Sequence, residues 1–364
     1  MRVAVRRERI MTFSLMQEVE SRGHEQLVVF HYPEVGLKAF VAVHNSVLGP
    51  ALGGCRLRNY QNENEAIEDV LRLSEGMTYK SAIAGMPLGG GKACIWIDPH
   101  FTEKRRELFN QFGKCVESLS GRYVTAEDMG TTEQDVAWVK EHTRFATGVS
   151  REEGGAGDPS PWTAKGVVQA IRAGAEARFG TTALTGKTVS VQGVGHVGRY
   201  IVEQLCELGA SVIVTDSYEE TLRSVVNDFG VKAVSTDEIY DVEADIYCPC
   251  AIGQTVNKDT LPRLKCSVIA GAANNQLSDS SMYDMIEDRG LLYLPDFAIN
   301  SGGVISVGAE LNDSGWNESW VTEKVNAIFD TTHLIIAESE KRKRFSEEVA
   351  IQLAKERIEE ARSR

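Results

Sequence analysis

The sequence predicts an α/β protein of two parts: an N-terminal domain on a mixed sheet, and a C-terminal domain on a doubly wound parallel one, with a cleft between them. Its 364 residues exceed the usual domain size of about 100–200 residues, so two cores are expected. Between residues 26 and 126 several strand-like runs come in succession before helices alternate with them, the pattern of a mixed sheet. The stretch 188–216 then reads as strand, glycine turn, helix, strand and terminal aspartate, which opens a parallel β-α-β unit.

In chain order, 11–20 reads as a short helix, and 26–31 and 37–44 as strands parted by the turn residues Pro33 and Gly36. Residues 48–58 pass through a glycine turn into another strand. Residues 62–78 place Ala66, Val70, Leu73 and Met77 on one helical face, and Lys80 ends that helix. A break is expected over 85–92, a strand over 93–97 and a helix over 104–119. Strand 122–126 delivers Glu127 and Asp128 ahead of helix 132–140. The segment 148–161 carries glycine, proline and charge without a core pattern, and marks the boundary. Helix 162–177 leads into the β-α-β unit. Beyond it, helix 219–228 and strands 232–234, 246–248 and 267–271 fit a Rossmann-like domain running to about residue 294. Residues 304–311, 317–341 and 346–360 are periodic helices, and the last is expected to cross back. The domains are therefore drawn at 1–148, joined by a terminal helix of about 343–364, and at 149–342.

Composition excludes several classes. Lys plus Arg is 39 against 52 Asp plus Glu, a net charge of −13, so no domain-wide positive field exists to hold a nucleic acid. The basic run 341–344 reads as a solvated helix face. Seven scattered cysteines suit thiols in a reducing cytoplasm, and Cys248-Pro249-Cys250 lacks a second pair or a histidine at ligand spacing, so no metal is expected. Arginines at 2, 6, 7 and 9 precede no apolar core of a signal peptide, and no apolar run is long enough to span a membrane. A cytoplasmic protein is the expectation.

Gly193, Gly195 and Gly198 fit G-x-G-x-x-G, whose first glycine allows a tight turn, second the approach of a pyrophosphate and third close helix–strand packing. Asp216 lies 23 residues after Gly193, placed for a ribose diol. No arginine follows at once to receive a ribose phosphate, so NAD is preferred over NADP. Lys92 closes a run of Gly89, Gly90 and Gly91, an entropically expensive choice unless the chain turns sharply or touches something closely. It is not a phosphate loop for nucleoside triphosphates, because Ala93 stands where Ser or Thr is needed. Two lysines near a hydride site suggest that one ammonium holds a carboxylate. The other, poorly solvated beside a like charge, would pass protons near neutral pH. Asp128 would relay protons with a lysine. Asn274 and Asn275 follow an apolar strand, where open sheets present ligands.

At this point the motifs LGPALGG with Arg56, GMTYKSAIAG, PLGGGK, TAEDMGT, GDPSPWTAKG, GVGHVG and GAANNQL occur together and in order. The chain resembles the glutamate, leucine, phenylalanine and valine dehydrogenases over about residues 16–357, and most closely their leucine branch. The resemblance implies reversible NAD-dependent oxidative deamination of an amino acid to a 2-oxo acid and ammonium. It implies that Lys80 binds the substrate carboxylate, that Lys92 activates water as acid and base, and that Asp128 exchanges protons with the amine. Asn275 would position substrate. Leu52, Gly53, Val304 and Val307 would line the side-chain pocket. Thr163 would lie near the nicotinamide amide, and His196, Val197, Ala251 and Asn274 would be further cofactor-binding residues. That pocket has no cation for glutamate, so leucine, valine or isoleucine fit first, with an aromatic substrate as the same-fold alternative and a non-catalytic NAD-binding protein as the other. Members of the family are homo-oligomers, so a dimer or octamer is implied.

Overall fold

The computed structural model describes residues 14–363 apart from 99 and 102. Of the first expected helix, 11–13 lie outside the described residues; α1 spans Leu15–Arg22 and ends on Gly23 in the left-handed region. Then come β1 (Gln26–Tyr32), β2 (Leu37–Asn45), β3 (Ala51–Arg58), α2 (Glu63–Ile83), β4 (Gly89–Trp96), α3 (Arg105–Ser118), β5 (Tyr123–Glu127) and α4 (Glu133–Lys140). The strands form one sheet in the order β1-β2-β4-β3-β5. It is antiparallel from β1 to β4 and parallel across β4-β3 and β3-β5, hence mixed. Strand β2 is apolar on both sides because both are covered. Leu108, Phe109, Phe112 and Val116 of α3 pack on one face of the sheet, and Ala66, Ile67, Val70 and Leu71 of α2 on the other.

Two expectations are corrected. Helix α2 runs on to Ile83, so Lys80 lies in its last turn rather than at its end. The glycine triplet is not a break but the first half of β4. Its glycines serve close approach: a Cβ on Gly90 would sit 2.0 Å from the Thr78 backbone nitrogen, and one on Gly91 2.7 Å from the Tyr123 ring. Helix α2 therefore lies directly on β4, which brings Lys80 and Lys92 to one end of the sheet.

The second half begins with α5 (Ser160–Phe179), β6 (Thr188–Gln192), α6 (His196–Glu207), β7 (Ser211–Thr215), α7 (Glu219–Phe229), β8 (Lys232–Ala233), β9 (Ile246–Pro249) and β10 (Val268–Ile269). It continues through α8 (Met282–Asp288), β11 (Leu292–Tyr293), α9 (Asp296–Ile299), α10 (Gly302–Gly308), α11 (Glu318–Asn326), α12 (Ile328–Arg342) and α13 (Ser346–Arg362). All six strands run parallel in the order β11-β10-β9-β6-β7-β8. The order reverses between β6 and β9, so a crevice opens at their carboxyl ends. Helix α6 begins at His196, which puts Gly198 inside its first turn. The single helix expected over 317–341 is two, parted at Ala327.

Helix α13 returns to α2. Ala354 and Ile358 are buried with Ala82, and the Arg357 guanidinium donates to the carbonyls of Ala82 and Met86 at 2.7 and 3.2 Å. These contacts tie α13 to the last turn of α2 and to the turn that follows it.

The glycine contacts predict a contrast between α2 and β4. Gly90→Ala forces backbone apart and is expected to cost more than about 3 kcal/mol, whereas Gly76→Ala, mid-helix with no atom within 4 Å of the added Cβ, is expected to stabilise by about 0.5–1 kcal/mol. Urea unfolding of the two variants checks this.

Candidate active site

The centre is a shared carboxylate. Lys92, on β4 and buried, places Nζ 3.0 Å from Asp128 Oδ2, and Arg56 Nε of β3 donates to the same oxygen at 2.9 Å. Arg56 Nη1 also pairs with Asp69 of α2 at 3.0 Å, whose other partners are Tyr60 and Arg72. Burial opposes the charge on Asp128, but Lys92 and Arg56 outweigh it and hold the carboxyl below its ordinary value. The turn carrying Asp128 is fixed to β3: Leu57 N–H donates to the Met129 carbonyl at 2.9 Å, and Gly130 has φ 82° with no room for a Cβ against the Leu57 carbonyl. Asp128, not its neighbour Glu127, is the carboxylate that reaches Lys92.

Lys80 faces the same space from the last turn of α2. Its Nζ donates to Asn274 Oδ1 at 3.4 Å, and Asn300 Nδ2 donates to that oxygen at 2.9 Å. Burial, opposed by Asp296 and reinforced by the Lys92 charge, pulls the Lys80 ammonium down to about 8. Asp296 itself is pushed up by burial, although the Gln276 N–H donates to it.

These groups line a cleft of about 310 Å³ walled from both halves of the chain. Leu52, Gly53, Lys80, Lys92 and Asp128 border it from the first sheet; Thr163, Val197, Asn274, Val304 and Val307 border it from the second half. Gly303 is also there, and it has no room for a Cβ because Thr163 Oγ1 would lie 2.6 Å away. Asn275 is not among the lining residues. Its φ is 52°, its carbonyl accepts from Gln254 N–H at 2.7 Å, and the amide reaching Lys80 belongs to Asn274, one position earlier.

The glycine loop borders a second, adjoining hollow with Gly195 and His196. Gly193 has φ 94° and would clash with Ala251 at 2.6 Å; Gly198 would meet the Gly193 carbonyl at 2.1 Å; nothing lies within 4 Å of a Cβ on Gly195. Two glycines are thus required by packing, while the middle one faces open space at the start of α6, as a cradle for a pyrophosphate needs. Asp216, at the end of β7, accepts from Val194 N–H at 2.8 Å and Tyr218 N–H at 2.9 Å, which fixes its carboxylate beside the loop. Asn300, which borders the first cleft, carries a buried Oδ1 without a partner, an acceptor suited to a carboxamide N–H. The residues present therefore fit a nicotinamide dinucleotide.

Sequence reasoning missed Arg56 as part of the centre, and Asn300, Met77 and Glu127 as cleft residues. A signal existed for Arg56, since strand alternation puts residues 52, 54 and 56 on one face. None existed for Asn300, which depends on the folding-back of the second half.

Residues 24–145 match the Glu/Leu/Phe/Val dehydrogenase dimerisation domain, and 154–219 and 214–364 match glutamate/leucine/phenylalanine/valine dehydrogenase. The chain belongs to the Glu/Leu/Phe/Val dehydrogenase family. It is an NAD-dependent amino-acid dehydrogenase. This dehydrogenase is 46% identical over 348 residues to leucine dehydrogenase from Bacillus subtilis (strain 168), covering 96% of this chain and 95% of that protein. It is 46% identical over 312 residues to phenylalanine dehydrogenase from Lysinibacillus sphaericus, covering 84% and 81%. The crystal structure of L-tryptophan dehydrogenase from Nostoc punctiforme shares its fold with a TM-score of 0.86 at 37% identity, covering 96% of this chain and 100% of that one.

The shared carboxylate gives a signed expectation. Arg56 helps to keep Asp128 ionised, so Arg56→Gln raises the Asp128 pKa and moves the acid limb of the kcat/KM profile to higher pH. An acid limb that stays in place in that variant contradicts the assignment.

Proposed function

We propose that this dehydrogenase oxidatively deaminates a branched-chain aliphatic L-amino acid, leucine, valine or isoleucine, to the 2-oxo acid and ammonium, reversibly and with NAD. The carrying observation is the lining of the cleft: its only cations among the described residues are Lys80 and Lys92, and Leu52, Val304 and Val307 supply aliphatic surface. Both cations are needed at the reacting end. None is left for a side-chain carboxylate, and Glu127 on the rim would repel one, so glutamate is disfavoured. The names of the leucine dehydrogenase relatives support the aliphatic choice. The phenylalanine and tryptophan dehydrogenases make an aromatic amino acid the outcome to test against.

In this reading Lys80, in its ammonium form, holds the substrate carboxylate, with Asn274 steadying the amine. The substrate amine then faces Asp128, which is ionised beside Lys92 and Arg56 and can take a proton from it. Thr163 and Asn300 would hold the nicotinamide end of the cofactor, which would supply the acceptor for the hydride of the α-carbon. Lys92, 3.0 Å from Asp128, first gives up its ammonium proton to solvent; the neutral amine then orients a water toward the resulting iminium carbon and takes its proton, and the proton held by Asp128 returns to the nitrogen, which leaves as ammonia. The walls from both halves limit solvent around these steps. Gly193, Gly195, His196, Val197, Gly198, Asp216 and Ala251 are assigned to the dinucleotide, and Asn275 to supporting the Asn274 turn. Residues 1–148 with α13 form the substrate, catalytic and oligomerisation part, and 149–342 the dinucleotide part. We also assign a homo-oligomer, dimer or octamer; β1 is an edge strand with Val29 57% exposed, and the match to a dimerisation domain covers it.

Steady-state NAD reduction with leucine, valine, isoleucine, phenylalanine, tryptophan and glutamate tests the reading. The highest kcat/KM is expected on a branched aliphatic; a maximum on an aromatic or on glutamate overturns it. Lys92→Ala is expected to keep NADH binding and lose kcat by about 10²–10⁴-fold, whereas Lys80→Ala chiefly raises KM.

A bound carboxylate stabilises the Lys80 ammonium, so it raises the pKa from about 8 and binding is strongest where Lys80 is already protonated. The inhibition constant of a 2-oxo acid is therefore expected to be flat below pH 8 and to weaken up to about tenfold per pH unit above it. Removal of that dependence in Lys80→Ala checks the assignment.

A further inference from the structure

Beneath the glycine loop lie two sulfurs that the reaction does not use. Cys248 is fully buried in β9, paired with Val191 of β6; Cys250 follows Pro249, is partly exposed, and donates its N–H to the Gln192 carbonyl at 2.7 Å. Their Sγ atoms are 3.5 Å apart. A disulfide needs about 2.05 Å, so a closure of about 1.5 Å by side-chain and turn adjustment joins them.

The turn that holds these sulfurs has no slack. Ala251 fills the space beside Gly193, where a Cβ would come within 2.6 Å, and Cys250 Cβ lies 3.5 Å from a Cβ built on Gly198. On the other side the Pro249 carbonyl fills the space beside Gly271, 2.1 Å from a Cβ there, and accepts from Ala273 N–H at 3.0 Å. Asn274, the partner of Lys80, comes next. A shift of Cys248-Pro249-Cys250 is thus passed to the phosphate cradle and to the Asn274 turn together.

We propose that Cys248 and Cys250 form an oxidant-responsive dithiol, and that its closure to a disulfide weakens dinucleotide binding. The oxidant is a peroxide. The nucleophilic form of a thiol is its thiolate, and Cys250, the more exposed of the two residues, supplies it. That thiolate attacks one peroxide oxygen; the O–O bond breaks, the other oxygen leaves as water after protonation, and Cys250 becomes a sulfenic acid. Cys248 sulfur then displaces the sulfenic oxygen as a second water, forming the S–S bond. Two electrons pass from the two thiols to the peroxide. The Cys250 sulfur and burial push the Cys248 thiol up, so it stays protonated until that second step. A disulfide across one intervening residue is strained and easily reduced, which makes the change reversible by thiols.

The inference rests on the dinucleotide reading of the glycine loop, and the experiment separates the two. Full-length protein is titrated with hydrogen peroxide, with and without later dithiothreitol. Tryptic peptide 233–258, which contains these two cysteines and no other, is weighed, and NADH Kd is read by fluorescence. Expected are a peptide lighter by two hydrogens, an NADH Kd raised about fivefold or more, and recovery of both by dithiothreitol. By linkage, saturating NADH should slow closure. Cys248→Ala and Cys248→Ser should bind NADH as the reduced parent does, and keep that affinity after peroxide. The proposal is overturned if the peptide keeps its mass, if the bond forms with Kd unchanged, or if the Cys248 variants lose NADH affinity under peroxide as the parent does. Reduced protein that fails to bind NADH overturns the dinucleotide reading instead, while the peptide mass still reports on the dithiol.

Discussion

The site depends on one oxygen. Asp128 Oδ2 is held by Lys92 and Arg56 at about the same distance, 3.0 and 2.9 Å, so a carboxylate, an ammonium and a guanidinium share a region poor in water. A lone charge there would be expelled or neutralised, but the set is mutually compensated, with Asp69 balancing the second cation. The remaining structure keeps these charges in register. Strands β3, β4 and β5 must lie close enough for side chains from three separate segments to converge on one atom. That closeness is achieved by removing side chains: Gly53 lies against the Gly91 carbonyl and Gly54 against the Glu127 carbonyl, where a Cβ would come within 1.7 and 2.4 Å.

The same device recurs in the second half. There Gly193 and Gly198 let β6, α6 and the Ala251 turn pack together, and only Gly195 is left bare for a ligand. Glycine thus has two separate uses, backbone contact at the first and third positions and open space at the second, in the order the motif assigns them.

Much of this was legible in the sequence, and the exceptions have physical causes. The β-α-β unit could be read because its signals are local: alternation, glycine spacing and a helical face all occur within residues 188–216. Lys80, Lys92 and Asp128 were found through glycine context, helix position and family resemblance. The triplet Gly89–Gly91 was misread as a break because entropy argues against glycine in a strand; the compensating contact with Thr78 is tertiary and leaves no local trace. Arg56 hid as one arginine in a strand, since its meaning comes from Asp69 and Asp128, 13 and 72 positions away. The asparagine pair was legible as a pair, but which amide turns toward Lys80 depends on the left-handed backbone at Asn275.

The lowered Lys80 pKa follows from its burial in the last turn of α2, with the Lys92 charge nearby. Helix α2 would leave its last turn exposed if α9 and α13 did not close over it, Arg357 binding its carbonyls and Ala354 and Ile358 covering Ala82. The enclosure also desolvates carboxyls: Asp296 of α9 is pushed up, and burial together with Asp296 lifts Glu347 of α13 to about 7. A dry wall with acids reluctant to ionise gives Lys80 a weak counter-charge, so its ammonium is poorly compensated until an anion arrives. A free carboxylate in the cleft supplies that charge, and the fold thereby leaves to the ligand an interaction it has withheld from its own side chains.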